Sequence, residues 1–261
     1  MNKLLTRSLS GIVYVALIVG CALGGYHTFT LLMTLFMAVG MLELYKMLSK
    51  GEPTNFLAIA LDIAFALWLL AMPQLYGIEL AVLAYLPLRI IIAVVTSKGN
   101  QTDAFARSIF SISYLALPLM CLISIYNTDA FTALSLFILI WINDTGAFLS
   151  GCTLGRHKLC ERLSPKKTWE GFWGGFIFTV SAAVGLHFLG WIHLSITYSA
   201  VLGAIVSIIG TFGDLFESMI KRNAGVKDSG NLIPGHGGIL DRIDSLLAVS
   251  PIVLLIIEII K

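Results

Sequence analysis

Residues 213–244 read GDLFESMIKRNAGVKDSGNLIPGHGGILDRID, and they form the longest polar run in a chain that is 57% hydrophobic. Two pairs of acids, Asp214 with Glu217 and Asp241 with Asp244, lie near the two ends of this run, where apolar segments stop or start. Residues three positions apart share one face of a helix. The sequence therefore predicts that each pair directs two carboxylates the same way.

Cations and glycines separate the two acid pairs. Lys221, Arg222 and Lys227 come first, and residues 234–238 follow, whose glycines allow backbone N–H groups to approach an anion closely. This arrangement indicates a site for a metal ion and phosphate groups. The alternative is a basic loop that only contacts lipid headgroups, although such a loop requires positive charge and not four acids.

The composition is that of a membrane protein. The 261 residues are 12% charged, against about 25% in soluble globular proteins, and the mean hydropathy is +0.90. A helix that spans a bilayer needs about 20 mostly apolar residues. Apolar blocks of this kind cover residues 9–23, 28–48, 56–72, 76–95, 109–126, 130–149, 172–190, 196–216 and 240–260. We therefore predict an all-α, polytopic integral membrane protein with about nine transmembrane helices.

Basic residues are distributed unevenly among the loops between these blocks. Lys and Arg favour cytoplasmic loops, and the loops around residues 24–27, 73–74, 127–129 and 191–193 contain neither. If the N-terminus is inside, the cytoplasmic side collects Lys3, Arg7, Lys46, Lys50, Lys98, Arg107, Arg156, Lys158, Arg162, Lys166, Lys167, Lys221, Arg222 and Lys227. We predict this topology in the cell inner (cytoplasmic) membrane, with the C-terminus outside. The net charge of +2 is too small to indicate nucleic acid as a partner.

Asn143 and Asp144 interrupt the sixth apolar block near its end, and Gly146 follows them. Charged side chains inside membrane helices normally face protein or a water-filled cavity. We therefore expect Asp144 to line a polar cavity that faces the cytoplasm. A purely structural role, in which Asp144 forms a hydrogen bond between helices, is the alternative.

Two further features fall outside the long polar run. Lys166 and Lys167, in the sequence SPKKTWEG, can make point-charge contacts with phosphates, although a basic loop next to a membrane is more often a contact with anionic lipid. Asp62 lies inside the third apolar block, and the sequence leaves open whether it has a structural role or belongs to the edge of the site.

The polar run also resembles the signature of a known family, the phosphatidate cytidylyltransferases, also called CDP-diacylglycerol synthases. The matching positions are Ser218, Lys221-Arg222, Lys227-Asp228, Pro234, His236-Gly237-Gly238 and Asp241-Arg242-Ile243-Asp244. The acidic motif at Asp144 and the stretch SPKKTWEG resemble two further motifs of this family. The resemblance implies that CTP and phosphatidate, a membrane lipid, are converted into CDP-diacylglycerol and pyrophosphate, a step of phospholipid biosynthesis.

The resemblance also implies roles for individual residues. Asp214 and Asp241 are the expected ligands of Mg²⁺, with Asp144 and Asp244 as further acidic partners. The expected phosphate-binding residues are Lys166, Lys167, Lys221, Arg222, Lys227 and His236. Gly235, Gly237, Gly238 and Arg242 complete the expected nucleotide-binding set.

We expect a single membrane domain over residues 1–261, with scaffold helices in residues 1–126 and a catalytic half in residues 127–261. A homodimer is suggested by the resemblance alone. Two other functions stay open from the residues themselves. A CTP-dependent polyprenol kinase would also combine a nucleotide site with a lipid, and a membrane transporter would also place acids within spans, although the chain shows no internal repeat of the transporter kind.

Overall fold

The computed structural model describes residues 3–49, 55–71, 78–96, 100–235 and 237–260. They are mostly helical and form two compact units. Unit 1 contains residues 1–124 and 228–241, and unit 2 contains residues 125–227 and 242–261. Each unit is therefore assembled from two separate stretches of the chain.

The helices and strands follow one another along the chain with short connections. They are α1 (Lys3–Leu23), α2 (Tyr26–Ser49), α3 (Phe56–Ala71), α4 (Ile78–Val95), α5 (Gln101–Ser111), a π-helical turn (Ile112–Ala116), α6 (Leu117–Thr128), α7 (Ala130–Leu154), β1 (Lys158–Cys160), β2 (Ser164–Thr168), α8 (Trp169–Phe188), α9 (Ile196–Asn223) and α10 (Leu240–Ile260).

The described residues confirm a largely helical protein with several potential membrane spans. Six helical segments are long and apolar enough to cross a bilayer: Tyr26–Ser49, Gln101–Thr128, Ala130–Leu154, Trp169–Phe188, Ile196–Asn223 and Leu240–Ile260. Three shorter apolar helices, Ser8–Leu23, Phe56–Ala71 and Ala84–Val95, coincide with the remaining predicted blocks to within one residue or cover part of them. Two of the predicted blocks end too early, because α7 continues to Leu154 and α9 continues to Asn223.

Helix α2 shows why the outer surface suits lipid. Its buried face is formed by Met33, Met37 and Met41, which follow one another at the four-residue spacing of one helix face. Its outward face carries Leu31 and Leu35, which are 61% and 54% exposed. A helix that is apolar on both its buried and its exposed sides fits a hydrocarbon environment.

A buried polar network joins the helices of unit 1 around Asp62, whose side chain is fully buried in α3. The hydroxyls of Tyr45 in α2 and Tyr85 in α4 both donate hydrogen bonds to the Asp62 carboxylate. The Arg89 Nε lies 3.6 Å from Asp62 Oδ1 and donates to Ser108 Oγ in α5 over 2.9 Å. Asp62 therefore ties together several helices of unit 1, which favours the structural role.

In unit 2, helices α7, α8 and α9 approach one another through glycines. A Cβ atom at Gly175 of α8 would lie 2.9 Å from both the backbone and the side-chain oxygen of Asn143 in α7. A Cβ atom at Gly203 of α9 would lie 2.8 Å from the Ala183 Cβ in α8. Small residues at helix contacts are typical of membrane proteins, because dispersion contacts between backbones replace the hydrophobic driving force that lipid removes.

Asp62→Asn tests the buried network. The substitution keeps the size of the side chain but leaves the Arg89 charge buried without its carboxylate, and we expect a loss of about 3 kcal/mol or more in the free energy of unfolding. Glu161→Gln, at an exposed position in the turn between β1 and β2, is the control and should change stability by no more than about 0.5 kcal/mol. Thermal unfolding in detergent compares the two variants, and equal melting temperatures would contradict the proposed role of Asp62.

Candidate active site

A cavity of about 540 Å³ lies among α7, the β1–β2 hairpin, α8 and α9 of unit 2. Its lining includes the polar residues Asn143, Asp144, Lys158, Lys166, Lys167, Thr168 and Thr211, and the apolar residues Ala147, Phe148, Leu159 and Phe172. Its size is within the range of small-molecule sites, about 300 to 1,000 Å³. Two motifs that are about twenty positions apart in the sequence therefore meet at one cavity.

The two lysines are positioned by a hairpin that the sequence analysis treated as a loop. Strand β2, which contains Lys166 and Lys167, pairs antiparallel with β1, and Lys158 is opposite Thr168. Thr168 then caps helix α8, because its Oγ1 accepts a hydrogen bond from the Gly171 N–H over 3.1 Å. The lysines thus lie directly before a capped helix N-terminus.

Glu170 fixes the start of the same hairpin. Its carboxylate accepts hydrogen bonds from the backbone N–H groups of Arg156 and His157, at 3.0 and 3.2 Å, and contacts His157 Nδ1 at 2.7 Å. Glu170 belongs to the first turn of α8, so the hairpin is anchored to the helix that follows it. The motif SPKKTWEG therefore combines two cavity-lining lysines with the residues that hold their backbone in place.

The sequence left two roles open for Asp144, lining a cavity or forming a hydrogen bond between helices. In the structure, Asp144 and its neighbour Asn143 each take one of these roles. The Asn143 Oδ1 accepts hydrogen bonds from Ser207 Oγ in α9, at 2.7 Å, and from Thr179 Oγ1 in α8, at 3.3 Å. Asn143 is buried, whereas Asp144 is exposed and lines the cavity. Asn143 therefore makes the hydrogen bonds between helices, and the Asp144 carboxylate faces the space in which a ligand would bind.

Charged groups of both signs surround Asp144 in unit 2. Its carboxylate interacts electrostatically with the cations Lys167 and Arg242 and with the anion Asp214. Asp244 in α10 experiences the negative charges of Asp214, Glu217 and Asp144. Several of the predicted site residues, from α7, β2, α9 and α10, are therefore close enough to influence one another.

Lys167 and Lys221 each form an ion pair with an acid of helix α9. Lys167 pairs with Asp214, and both side chains are about one-quarter exposed, at 27% and 28%. Lys221 pairs with Glu217 one turn earlier on α9, where both residues are buried. Lys221 therefore neutralises a buried acid in this structure, whereas the sequence predicted only a contact with phosphate.

The remaining predicted cations of α9 and its C-terminal turn are exposed. Arg222 donates a hydrogen bond to the Val226 carbonyl over 3.0 Å, close to the point where Gly225 ends the helix at a φ of 71°. Lys227 is also exposed. These side chains are accessible to a ligand, but they do not line the cavity described above.

The glycine-rich segment packs within unit 1. Gly235 and Gly237 have φ values of 77° and 83°, a conformation that favours glycine, and Ile233 pairs with Gly237 in an isolated β-bridge. The Asp241 Oδ2 accepts hydrogen bonds from the backbone N–H groups of Ser229, at 2.9 Å, and Gly238, at 2.8 Å. The predicted metal ligand Asp241 therefore also organises its own loop. His236 lies outside the described residues.

Among the described residues, no three His, Cys, Asp or Glu side chains converge closely enough to hold a metal ion by themselves. This finding is compatible with magnesium, which usually takes one or two protein carboxylates and completes its shell with water and phosphate oxygens. The Lys167 ammonium next to Asp214 shows that this carboxylate accommodates a cation.

Comparisons with known proteins identify the family of this chain. The model of the cytidylyltransferase family matches residues 5–260. The chain belongs to this cytidylyltransferase family. A phosphatidate cytidylyltransferase of Staphylococcus epidermidis is 33% identical over 254 residues, which cover 94% of this chain and 96% of the relative.

Further relatives carry the same name. A phosphatidate cytidylyltransferase of Bacillus subtilis is 31% identical over 264 residues, covering 96% of this chain and 94% of the relative. Another from Staphylococcus aureus is 41% identical over 146 residues, which are 55% of each chain. These matches confirm the family resemblance of the motifs and the expectation of a nucleotidyltransferase.

Sequence reasoning overlooked several residues that shape this cytidylyltransferase site. Thr168 and Glu170 were read only as parts of a motif, and their capping and anchoring contacts appear with the hairpin. Glu43 was not considered at all, although a carboxylate inside an apolar block is the same signal that drew attention to Asp62.

Gly175→Ala tests the close contact that shapes the cavity of this cytidylyltransferase. The new methyl group would meet the Asn143 oxygens at 2.9 Å, and the resulting overpacking should cost about 1 to 3 kcal/mol of stability. Gly185→Ala is the control in the same helix, because a Cβ atom there has nothing within 4 Å. Thermal unfolding in detergent measures both variants, and a destabilisation of Gly185→Ala as large as that of Gly175→Ala would refute the contact-based explanation.

Proposed function

We propose that this chain is a phosphatidate cytidylyltransferase, which converts CTP and phosphatidate into CDP-diacylglycerol and pyrophosphate. The observation that carries the proposal is the convergence of Asp144, Lys166 and Lys167 on one cavity, in a helical protein with several potential membrane spans. Membership of the cytidylyltransferase family and the names of the relatives support it. The same comparisons give no support to the kinase or the transporter.

The residues of the cavity provide contacts that suit a nucleoside triphosphate. Lys166 and Lys167 supply two positive charges on one strand, and lysine contacts phosphates as a compact point charge. Phe148 and Phe172 provide an apolar part of the lining on which a base or a lipid could pack. The proposed role of the lysines is to bind the phosphates of CTP and orient them.

The proposed cofactor is Mg²⁺, with Asp214 and Asp241 as its first ligands and Asp144 and Asp244 as further acidic partners. Within unit 2, Asp144, Asp214 and Asp244 repel one another and Asp214 already attracts an ammonium group, so these carboxylates suit a hard cation. When bound, Mg²⁺ would stabilise negative charge on the attacking and leaving oxygens. Lys167 would then exchange its contact with Asp214 for a contact with phosphate.

The proposed nucleophile is the phosphate group of phosphatidate. By analogy with phosphorylated side chains, a phosphate monoester has a second pKa near 6, so it is largely a dianion at neutral pH. The protein therefore needs to orient this group and neutralise its charge rather than remove a proton. Arg222, Lys227 and His236 are proposed to contact phosphate, with Gly235, Gly237, Gly238 and Arg242 as part of the nucleotide-binding set.

The finer topology is also a proposal. We propose nine spans, with the three shorter apolar helices included, the N-terminus inside and the polar cavity open to the cytoplasm. The bias of Lys and Arg towards one set of loops supports this orientation. We likewise propose one membrane domain in which residues 1–126 serve as scaffold and residues 127–261 carry the chemistry, in a homodimer in the inner membrane.

The position of a radioactive label tests the reaction. Purified protein with phosphatidate, Mg²⁺ and CTP labelled at the α-phosphate should transfer the label to lipid, whereas a γ-label should leave as pyrophosphate. With polyprenol as the acceptor in a parallel assay, a polyprenol kinase would give the opposite result, with the γ-label in the lipid and CDP in solution. The absence of both lipid products from folded protein would reject the enzyme altogether.

Lys167→Met tests whether Lys167 competes with a divalent cation for Asp214. We expect Mn²⁺, used as a spectroscopic substitute for Mg²⁺, to bind about threefold more tightly without nucleotide, since a partly exposed ion pair contributes at most about 1 kcal/mol. CTP should bind more weakly to the same variant. Electron paramagnetic resonance measures free Mn²⁺.

Lys158→Met is the control for this experiment. Lys158 also lines the cavity, but its Nζ donates to the Pro165 carbonyl over 2.7 Å and not to an acid. Its replacement should leave Mn²⁺ binding unchanged. Unchanged or weaker Mn²⁺ binding by Lys167→Met would show that Lys167 does not compete for the site.

A further inference from the structure

Glu43 in α2 holds the segment of residues 228–241 within unit 1. Its carboxylate accepts hydrogen bonds from the N–H groups of Ile239 and Leu240, each at 3.1 Å, and from Ser229 Oγ at 3.0 Å. Glu43 is only 9% exposed. One acid of the first half of the chain therefore contacts both the beginning and the end of this segment.

Glu43 also accepts the first N–H group of helix α10, whose preceding residue has no side-chain acceptor. The first N–H groups of a helix lack partners within the helix, and a Ser, Thr, Asp or Asn side chain at the preceding position usually accepts one of them. Here Ile239 precedes the first helical residue Leu240, and its side chain cannot accept a hydrogen bond. Glu43 replaces that cap from another helix, and its negative charge also suits a helix N-terminus.

Two glycines leave room for the Glu43 side chain. A Cβ atom at Gly230 would lie 2.9 Å from the Glu43 Cδ, and a Cβ atom at Gly238 would also collide with the carboxylate. The absence of side chains at these positions lets the backbone close around Glu43. Gly230 and Gly238 therefore leave the space that the buried Glu43 carboxylate occupies.

Ser229 connects Glu43 to Asp241. The Ser229 Oγ lies 3.0 Å from Glu43 Oε2 and 2.9 Å from Asp241 Oδ2, so the hydroxyl group is within reach of both carboxylates. Asp241 is held further by the N–H groups of Ser229 and Gly238. The position of the Asp241 carboxylate is thus coupled to that of Glu43 through a hydroxyl group and a short stretch of backbone.

We infer that Glu43 is a positioning residue for the reaction, acting through Ser229 and the start of α10 to set the position of Asp241. The inference rests on the proposed function, in which Asp241 binds Mg²⁺. Glu43 itself needs no contact with substrate or metal. A residue of the predicted scaffold half thereby determines the geometry of a proposed metal ligand about 200 positions later in the chain.

Glu43→Gln provides the first test, because the amide keeps the size of the side chain but has a single acceptor oxygen. We expect faster hydrogen–deuterium exchange in residues 229–240, with unchanged exchange in α8. We also expect the Mg²⁺ concentration for half-maximal activity to rise several-fold and kcat to fall between about tenfold and a hundredfold, as misplaced catalytic groups do. The KM for CTP should change less than twofold.

The shift in Mg²⁺ dependence distinguishes positioning from stability. A merely structural role would lower the fraction of active protein without changing the Mg²⁺ requirement of the rest. Glu161→Gln, at an exposed position in the turn between β1 and β2, is the control and should match the wild type in every measurement. Should Glu43→Gln yield no folded protein, Ser229→Ala is judged by the same two measurements, because it removes only the connecting hydroxyl group.

The inference requires both faster hydrogen–deuterium exchange in residues 229–240 and a higher Mg²⁺ concentration for half-maximal activity. A variant with wild-type exchange or with a wild-type Mg²⁺ requirement overturns it. Failure of the proposed function would be recognised separately, because the wild-type protein would then form no CDP-diacylglycerol. In that case the exchange measurement still decides whether Glu43 holds the segment.

Discussion

Polar groups inside this protein must find their partners within the protein, because lipid provides none. Each buried charge considered above meets this requirement. Asp62 is paired with Arg89 and two tyrosine hydroxyls, Glu217 is paired with Lys221, and Glu43 accepts backbone N–H groups. In an apolar chain, the positions of these buried acids thus determine which helices and loops must come together.

The outline of the fold and part of the site could be predicted from the sequence. Apolar blocks of about 20 residues located the membrane helices, because bilayer thickness imposes a length that composition reveals. Asp144 stood out because a charged residue within an apolar block is costly unless it has a role, and Lys166 and Lys167 stood out because two adjacent lysines can contact phosphates and because their loop resembles a family motif. The structure places all three at one cavity.

The contacts that position these residues could not be predicted in the same way. The partners of Glu43 are 186 to 197 positions away, and periodicity within a block carries no information about such distant pairs. The hairpin of β1 and β2 was missed because its strands are short and charged, without the alternation of apolar residues that marks a strand. The ends of α7 and α9 were missed because polar residues replace apolar ones there while the helix continues.

The glycine contacts between α7 and α8 also affect the conformational entropy of the site. Glycine and alanine lose almost no side-chain entropy when they become buried, whereas long side chains lose up to about 2 kcal/mol each. A helix contact built on Gly146, Gly171 and Gly175 therefore has few rotamers to order and few alternative packings. Beside the cavity, the approach of α8 to the Asn143 backbone of α7 is therefore limited by the backbone at Gly175 and not by the rotamer of a long side chain at that position.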